Sequence, residues 1–141
     1  MDNLLSDFES PYNTTAPRLT QKLIIKSRDG ISFGEFEYFL DRSPIHLEEW
    51  AYLLHLSDRT LQRYKKDNKS FESIHSERIL DLFMLFKFGE DVFGDKSTFK
   101  SWLHDQSIPL GNATPFSLLD TSFGIVLVKE ELGRIQHGIF A

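Results

Sequence analysis

The chain has 141 residues, 40% of them hydrophobic and 26% charged, with 16 Lys+Arg against 21 Asp+Glu, a formal net charge of -5, and no Cys. One small domain of this length buries roughly two thirds of the surface of its unfolded chain, so its core needs no disulfide or thiolate-bound metal, and thiol nucleophiles are excluded outright. No apolar run approaches the roughly 18 residues of a membrane span, and Asp2, Asp7 and Glu9 stand where a signal peptide would carry Lys or Arg, so the cytoplasm is the expected location.

Residues 1–17 contain Pro11, Asn13, Thr14, Thr15 and Pro17 with little apolar periodicity and read as a flexible arm. From Arg18 onward Leu19, Leu23 and Ile24 recur at helical spacing and Gly30 follows as a C-cap. Leu23-Ile24-Ile25 would equally suit the start of a strand; helix is the reading adopted. Ser32 and Glu35 form a capping-box pattern, because the hydroxyl can accept from the third helical N–H while the carboxylate reaches back. A helix is therefore expected over about 33–42, with Phe33, Phe36, Phe39 and Leu40 on one face. Ser43-Pro44 ends it, since the residue before proline avoids the α region. A short helix over Leu47–Leu54, a break at His55–Ser57 and a second helix over Asp58–Lys66 come next.

Between Ile74 and Phe88 the residues Ile79, Leu80, Leu82, Phe83, Met84, Leu85 and Phe86 leave few polar positions, which marks a helix buried on most sides and the expected centre of the core. Asp95 can cap a helix to about Asp105 with Phe99, Trp102 and Leu103 inward, and Pro109-Leu110-Gly111-Asn112 is a turn cluster. Thr114-Pro115 reads as an N-cap and first helical position, giving a short helix over 115–120. The β-branched Ile125-Val126-Leu127-Val128 would suit a strand, but Ile125, Val128, Leu132 and Ile135 keep helical spacing. A helix over about 122–136 is expected, with Gly138 at its end, and the fold class is all-α.

Positive charge is concentrated in one place. Residues 57–69 hold Arg59, Arg63, Lys65, Lys66 and Lys69 against Asp58 and Asp67, a net +3, while the rest of the chain is acidic. The same region fits a helix-turn-helix: Trp50, Leu54, Leu56, Leu61 and Tyr64 face the core, Ala51 is small where the helices cross, and Ser57 caps the second helix. Arg59, Gln62, Arg63 and Lys66 then lie on or near the outer face, where arginine can read guanine and lysine can meet phosphate. The candidate DNA-contacting residues are Ser57, Arg59, Thr60, Gln62, Arg63, Lys65 and Lys66. A plain all-α packing unit with a solvated basic face would show the same pattern. His55 occupies the turn position that favours glycine, because positive φ is needed there and histidine tolerates it better than most residues.

Catalytic patterns are poor. His46, His55, His75, His104 and His137 are 9, 20, 29 and 33 residues apart, so none has the i, i+3 or i, i+4 spacing of helical metal ligands, and they read as scattered surface residues. Glu48-Glu49 and Glu130-Glu131 are adjacent, a poor layout for paired acid and base, and read as solubilising faces. The glycines form neither GxGxxG nor GxxxxGK[ST], and Ser57, Ser117 and Ser122 lack the neighbours of a nucleophile. Neither metal, cofactor nor enzyme activity is expected.

The chain also contains an ordered series of short motifs. Leu56-Ser57-Asp58-Arg59-Thr60-Leu61-Gln62-Arg63 is followed by Val92-Phe93-Gly94, Trp102-Leu103, Leu110-Gly111, Thr114-Pro115, Leu118-Leu119-Asp120-Thr121, Gly124 and Val128. The last segment reads Leu132-Gly133-Arg134-Ile135-Gln136-His137-Gly138-Ile139-Phe140-Ala141. From about Arg18 to Ala141 the chain resembles the Xre/MbcA/ParS antitoxins that are paired with RES-domain toxins, whose recognition-helix and terminal signatures are similar to "LSxRTLQR" and "LgRIehGvyA". Departures are His55 in the turn, Ile108-Pro109 before Leu110, Gln136 where Glu is frequent and Phe140 where Tyr is frequent.

The resemblance implies an N-terminal Xre-like helix-turn-helix region over 18–72 and a small helical toxin-binding domain over 73–141. It implies a cytoplasmic, non-enzymatic antitoxin, homodimeric within a larger complex. Such a protein blocks an NAD-consuming RES toxin by occluding its active site and binds operator DNA to repress its own operon. An apolar chain end beside a cationic fork suits entry into a cleft shaped for an anionic cofactor. The toxin-facing residues expected are Arg134, His137, Gly138, Ile139, Phe140 and Ala141, with Ile135 assigned to the core. Trp102, Leu103, Thr114, Pro115, Leu118, Leu119, Asp120 and Thr121 are read as scaffold. The alternative is a helix-turn-helix regulator with no toxin partner.

Overall fold

The computed structural model describes residues 16–138, with side chains from Arg18 onward. Seven helices follow one another: α1 (Ala16–Asp29), α2 (Phe33–Arg42), α3 (Leu47–Leu54), α4 (Asp58–Asp67), α5 (Ser73–Phe93), α6 (Lys96–His104) and α7 (Ser122–Gln136). Single 3₁₀ turns at Ile108–Leu110 and Phe116–Leu118 lie between α6 and α7. Among the described residues there is no strand, only an isolated antiparallel bridge between Ser32 and Ser70, so the fold is all-α.

Most boundaries follow from local chemistry. The Ser32 hydroxyl accepts from the Glu35 N–H at 3.1 Å and the Glu35 carboxylate accepts from the Ser32 N–H at 3.0 Å, which closes the capping box and starts α2 where expected. Asp95 and Thr121 cap α6 and α7 in the same manner through the N–H groups of Thr98 and Gly124. The strand alternative for Leu23–Ile25 and for Ile125–Val128 is overturned: both segments are helical, and the second buries Ile125, Val128 and Leu132 at helical spacing. Residues 1–15 of the expected arm lie outside the described residues. Ala16 and Pro17 already belong to α1, two positions ahead of the expected start at Arg18, since a proline in the first turn gives up an N–H that has no helical partner.

Two further boundaries differ from expectation. α5 runs to Phe93 and stops at Gly94, whose φ of +87° turns the chain left-handed, so residues 89–93 extend the central helix by more than a turn beyond Phe88. The expected helix over 115–120 is a 3₁₀ turn over Phe116–Leu118. Thr114 does accept from the Ser117 N–H, at 3.3 Å, but the backbone bonds that follow, from Leu118 N–H to Pro115 O and from Leu119 N–H to Phe116 O, span three residues each and keep the segment a 3₁₀ turn.

α5 is the centre of the molecule and packs against α1, α3, α6 and α7. Its Ile79, Leu80, Leu82, Phe83, Leu85 and Phe86 are all buried. A line of edge-on rings crosses the core: Phe36 of α2 lies 5.3 Å from Trp50 of α3, and Trp50 lies 5.7 Å from Phe86 of α5. Phe99 of α6 continues the line, 6.2 Å from Phe86. Each of these fully buried side chains contributes on the order of 2 kcal/mol by leaving water. Two glycines bring helices close to their neighbours: a Cβ on Gly89 would collide with the Phe99 ring, and one on Gly124 with the Leu118 carbonyl oxygen.

Candidate functional site

The first candidate surface is α4. Leu61 and Tyr64 turn into the core, and the opposite face carries Arg59, Gln62, Arg63 and Lys66 at the i, i+3, i+4, i+7 positions of one exposed stripe. Lys65 is exposed on the flank of the same helix. Ser57 and Thr60 are occupied with each other: Ser57 Oγ accepts from the Thr60 N–H at 3.0 Å and donates to Thr60 Oγ1 at 2.9 Å, so their first task is to cap α4. α3 and α4 are joined by the three-residue turn His55–Ser57, in which His55 takes φ +58° and ψ +37°. Trp50, Leu54 and Leu61 are buried as expected, while Leu56 is only partly buried.

The second candidate surface is the end of α7. Arg134 and His137 are exposed and three residues apart, on the side of α7 away from Ile125, Val128 and Leu132. Gly138 takes φ +69°, and its N–H reaches the Ile135 carbonyl at 3.1 Å, which closes the helix. Ile139, Phe140 and Ala141 lie outside the described residues. Ile135, assigned to the core from its spacing, is only partly buried.

Two glutamates expected to be mere solubilising groups have specific work. Glu131 is buried, and its Oε1 accepts from Arg134 Nε at 2.8 Å and meets Nη2 at 2.7 Å, so the guanidinium is aimed by its own helix while 46% of the side chain stays exposed. Glu49 accepts from the His46 N–H at 3.0 Å and from His104 Nε2 at 2.6 Å. His104 Nδ1 faces the Lys100 carbonyl at 2.8 Å. Both ring nitrogens thus face acceptors, and only the imidazolium can donate to both at once.

The titration of this pair follows from those bonds. Burial pushes the Glu49 carboxyl up, but the His46 N–H and His104 outweigh it and hold the group below its ordinary 4.5. Burial pushes His104 down, but the Lys100 carbonyl and Glu49 outweigh it and hold the ring above its ordinary 6.5. The carboxylate's contribution to stability is lost as pH falls through its lowered pKa, and the imidazolium's as pH rises through its raised one. The pair is therefore fully stabilising between the two ordinary values of 4.5 and 6.5. We expect thermal unfolding to show a loss of about 0.5 kcal/mol from pH 6 to pH 8 that disappears in His104→Ala, the size usual for a partly exposed pair. An unchanged slope in that variant would contradict the assignment.

Three contacts tie α3 and its turn to the loop ahead of α7. Tyr52 donates its hydroxyl to the Ser117 carbonyl at 3.0 Å, and His55 Nε2 lies 2.7 Å from the Asp120 carbonyl. Arg78 of α5 donates through Nη1 to that same carbonyl at 2.6 Å and to Leu53 O at 3.3 Å, and through Nη2 to Ser122 Oγ at 3.3 Å. The two candidate surfaces are thus clamped to one frame. His55 remains an exposed surface histidine, and its ring adds a contact to the loop ahead of α7. Sequence spacing gave no signal of these contacts, since the partners are 25 to 65 residues apart. Among the described residues no group of His, Asp and Glu could hold a metal, and no helix is long and apolar enough to cross a membrane.

Comparison with known proteins bears on the second half of the chain most directly. Residues 88–138 match the family model described as the antitoxin Xre/MbcA/ParS C-terminal toxin-binding domain. An "Antitoxin Xre" of Yersinia enterocolitica is 32% identical over 87 residues, covering 61% of this chain and 59% of that protein. An "Antitoxin Xre" of Photorhabdus laumondii subsp. laumondii is 34% identical over 82 residues, covering 57% of this chain and 55% of that one. The chain spans a little over half the length of these curated relatives. Residues 88–138 are thus similar to the C-terminal toxin-binding domain of the Xre/MbcA/ParS antitoxins.

Proposed function

We propose that this chain is a cytoplasmic antitoxin of a RES-domain, NAD-consuming toxin. It acts in two places, over 18–72 and over 73–141. The second region binds the toxin and occludes its active site with Arg134, His137, Gly138, Ile139, Phe140 and Ala141. The first binds operator DNA through α4, with Arg59, Gln62, Arg63 and Lys66 toward the groove and Lys65 toward phosphate, as a homodimer within the complex. The protein needs no cofactor and performs no catalysis. The observation that carries the antitoxin reading is the match of residues 88–138 to a toxin-binding domain. The DNA reading is supported by the exposed stripe on α4, where charge, exposure and helical spacing coincide.

The test is co-expression with the protein encoded by the adjacent reading frame, with co-purification, cellular NAD and operator binding as readouts. The whole chain is expected to hold that protein and preserve NAD. Deletion of Gly138–Ala141 should release NAD consumption and leave operator binding intact. Arg63→Ala should do the reverse, weakening operator binding by about 1–3 kcal/mol while NAD stays protected. A truncated chain that still protects NAD would remove the occluding end. An Arg63→Ala chain that folds normally and fails to protect NAD would remove the division of labour. A chain that forms no complex at all but binds its operator would favour the regulator without a toxin, the reading that the basic helix supports alone.

A further inference from the structure

α7 presents two apolar faces, and the fold uses only one. Ile125, Val128 and Leu132 are buried against the rest of the molecule, with Gly124 held tightly on Leu118. On the other side Phe123 is 91% exposed, Val126 55% and Leu127 42%. These three occupy i, i+3 and i+4, and the same stripe continues through Glu130 to Arg134 and His137. Phe123 does nothing for the helix start, since Thr121 supplies the cap. Ile108, 84% exposed, sits on the 3₁₀ turn that packs beside α7. Single exposed apolar residues are ordinary on a protein surface, but a contiguous set of them marks a binding surface.

We infer that the outward face of α7, led by Phe123, Val126 and Leu127, is a docking surface for the toxin, separate from the occluding chain end and lying on one helical stripe with Arg134 and His137. This rests on the antitoxin reading above. Three observations select the toxin as occupant. The patch falls wholly inside the segment that matches a toxin-binding domain. It also runs into Arg134 and His137, so a partner engaged at the chain end meets it next; from Phe123 to His137 the helix rises only about 21 Å. The third is size. Phe123, Val126 and Leu127 together offer roughly 300 Å², well under half of the roughly 800 Å² per partner that a stable interface needs, so the patch is too small to hold a second copy by itself but suits one part of a contact that includes the chain end. The face is rigid, since α7 is anchored by its buried side, and a partner would pay little to order it.

The experiment uses the full chain, the protein encoded by the adjacent reading frame as probe, and the variants Phe123→Asp and Leu127→Asp. Thermal unfolding and operator binding are expected to match the unsubstituted chain for Phe123→Asp, because that side chain packs against little. Its affinity for the probe should fall at least tenfold, and a photo-crosslinking amino acid in place of Phe123 should capture the probe. Binding within twofold of the unsubstituted chain, with no crosslink, would overturn this inference and leave the occluding end standing. Loss of self-association at unchanged probe affinity would assign the face to a second copy and also overturn it. Failure of the unsubstituted chain to bind the probe would overturn the antitoxin reading itself.

Discussion

Gly124→Ala is expected to destabilise the protein by about 3 kcal/mol, the upper end of what one added methyl costs in a packed site. The new Cβ would collide with the Leu118 carbonyl oxygen. That atom is backbone, and it belongs to a turn already fixed by Ser117–Thr114 bonds and by the Tyr52 and Asp120 contacts. Neither side can give way without moving α7 or the loop. A fall in the unfolding midpoint of about 10 °C is the corresponding observation. The control is Gly133→Ala on the same helix, where an added Cβ meets nothing within 4 Å. There the alanine should be stabilising by roughly 0.5–1 kcal/mol, because it restricts the unfolded chain and suits a helix better. Equal effects at the two positions would show that helix propensity, and not the approach of α7 to Leu118, governs both.

Trp50→Ala is expected to cost about 3–5 kcal/mol, the range for truncating a large buried aromatic residue. Trp50 is fully buried, stands between Phe36 and Phe86, and donates its indole N–H to Ser43 Oγ at 3.0 Å. Removing it opens a cavity at the point where α2, α3 and α5 meet and leaves Ser43, itself buried, one donor short. Trp50→Phe keeps most of the volume and should cost about 1–2 kcal/mol, chiefly the lost hydrogen bond and a smaller gap. Chemical denaturation of the three proteins checks the order. A Trp50→Ala midpoint equal to that of the phenylalanine variant would mean that the core collapses around the gap, and the ring line would lose its place in the account.

Much of this architecture is legible in the chain because its signals are local. Ser32 with Glu35 starts α2 and Asp95 starts α6, and the spacing of Ile125, Val128 and Leu132 sets the buried side of α7. The basic outer stripe of α4 also follows from spacing, since Leu61 and Tyr64 leave Arg59, Arg63 and Lys66 nowhere to go but outward. What was not legible depends on distant partners. Glu49 looks like a surface charge until His104, 55 residues later, is brought 2.6 Å from it. His55 looks like a compromise in a turn until Asp120 supplies a carbonyl for its ring. Arg78 carries no motif at all, yet it joins Leu53, Asp120 and Ser122. Thr114-Pro115 is a true start signal, but the bonds that follow it close three-residue rings, so a 3₁₀ turn stands at Phe116–Leu118 in place of an α-helix. On α7 the composition shows two apolar faces, and only the packing tells which one is spent on the core.

We propose that toxin and DNA are met by different helices of one frame. Amide hydrogen exchange of the whole chain tests it most directly, compared free, bound to the protein encoded by the adjacent reading frame, and bound to operator DNA. The account predicts protection along α7 and through Arg134–Ala141 on binding that protein, with α4 unchanged, and protection at the His55–Ser57 turn and α4 on binding DNA, with α7 unchanged. Protection of α4 by the protein partner, with α7 exchanging as in the free chain, would contradict it.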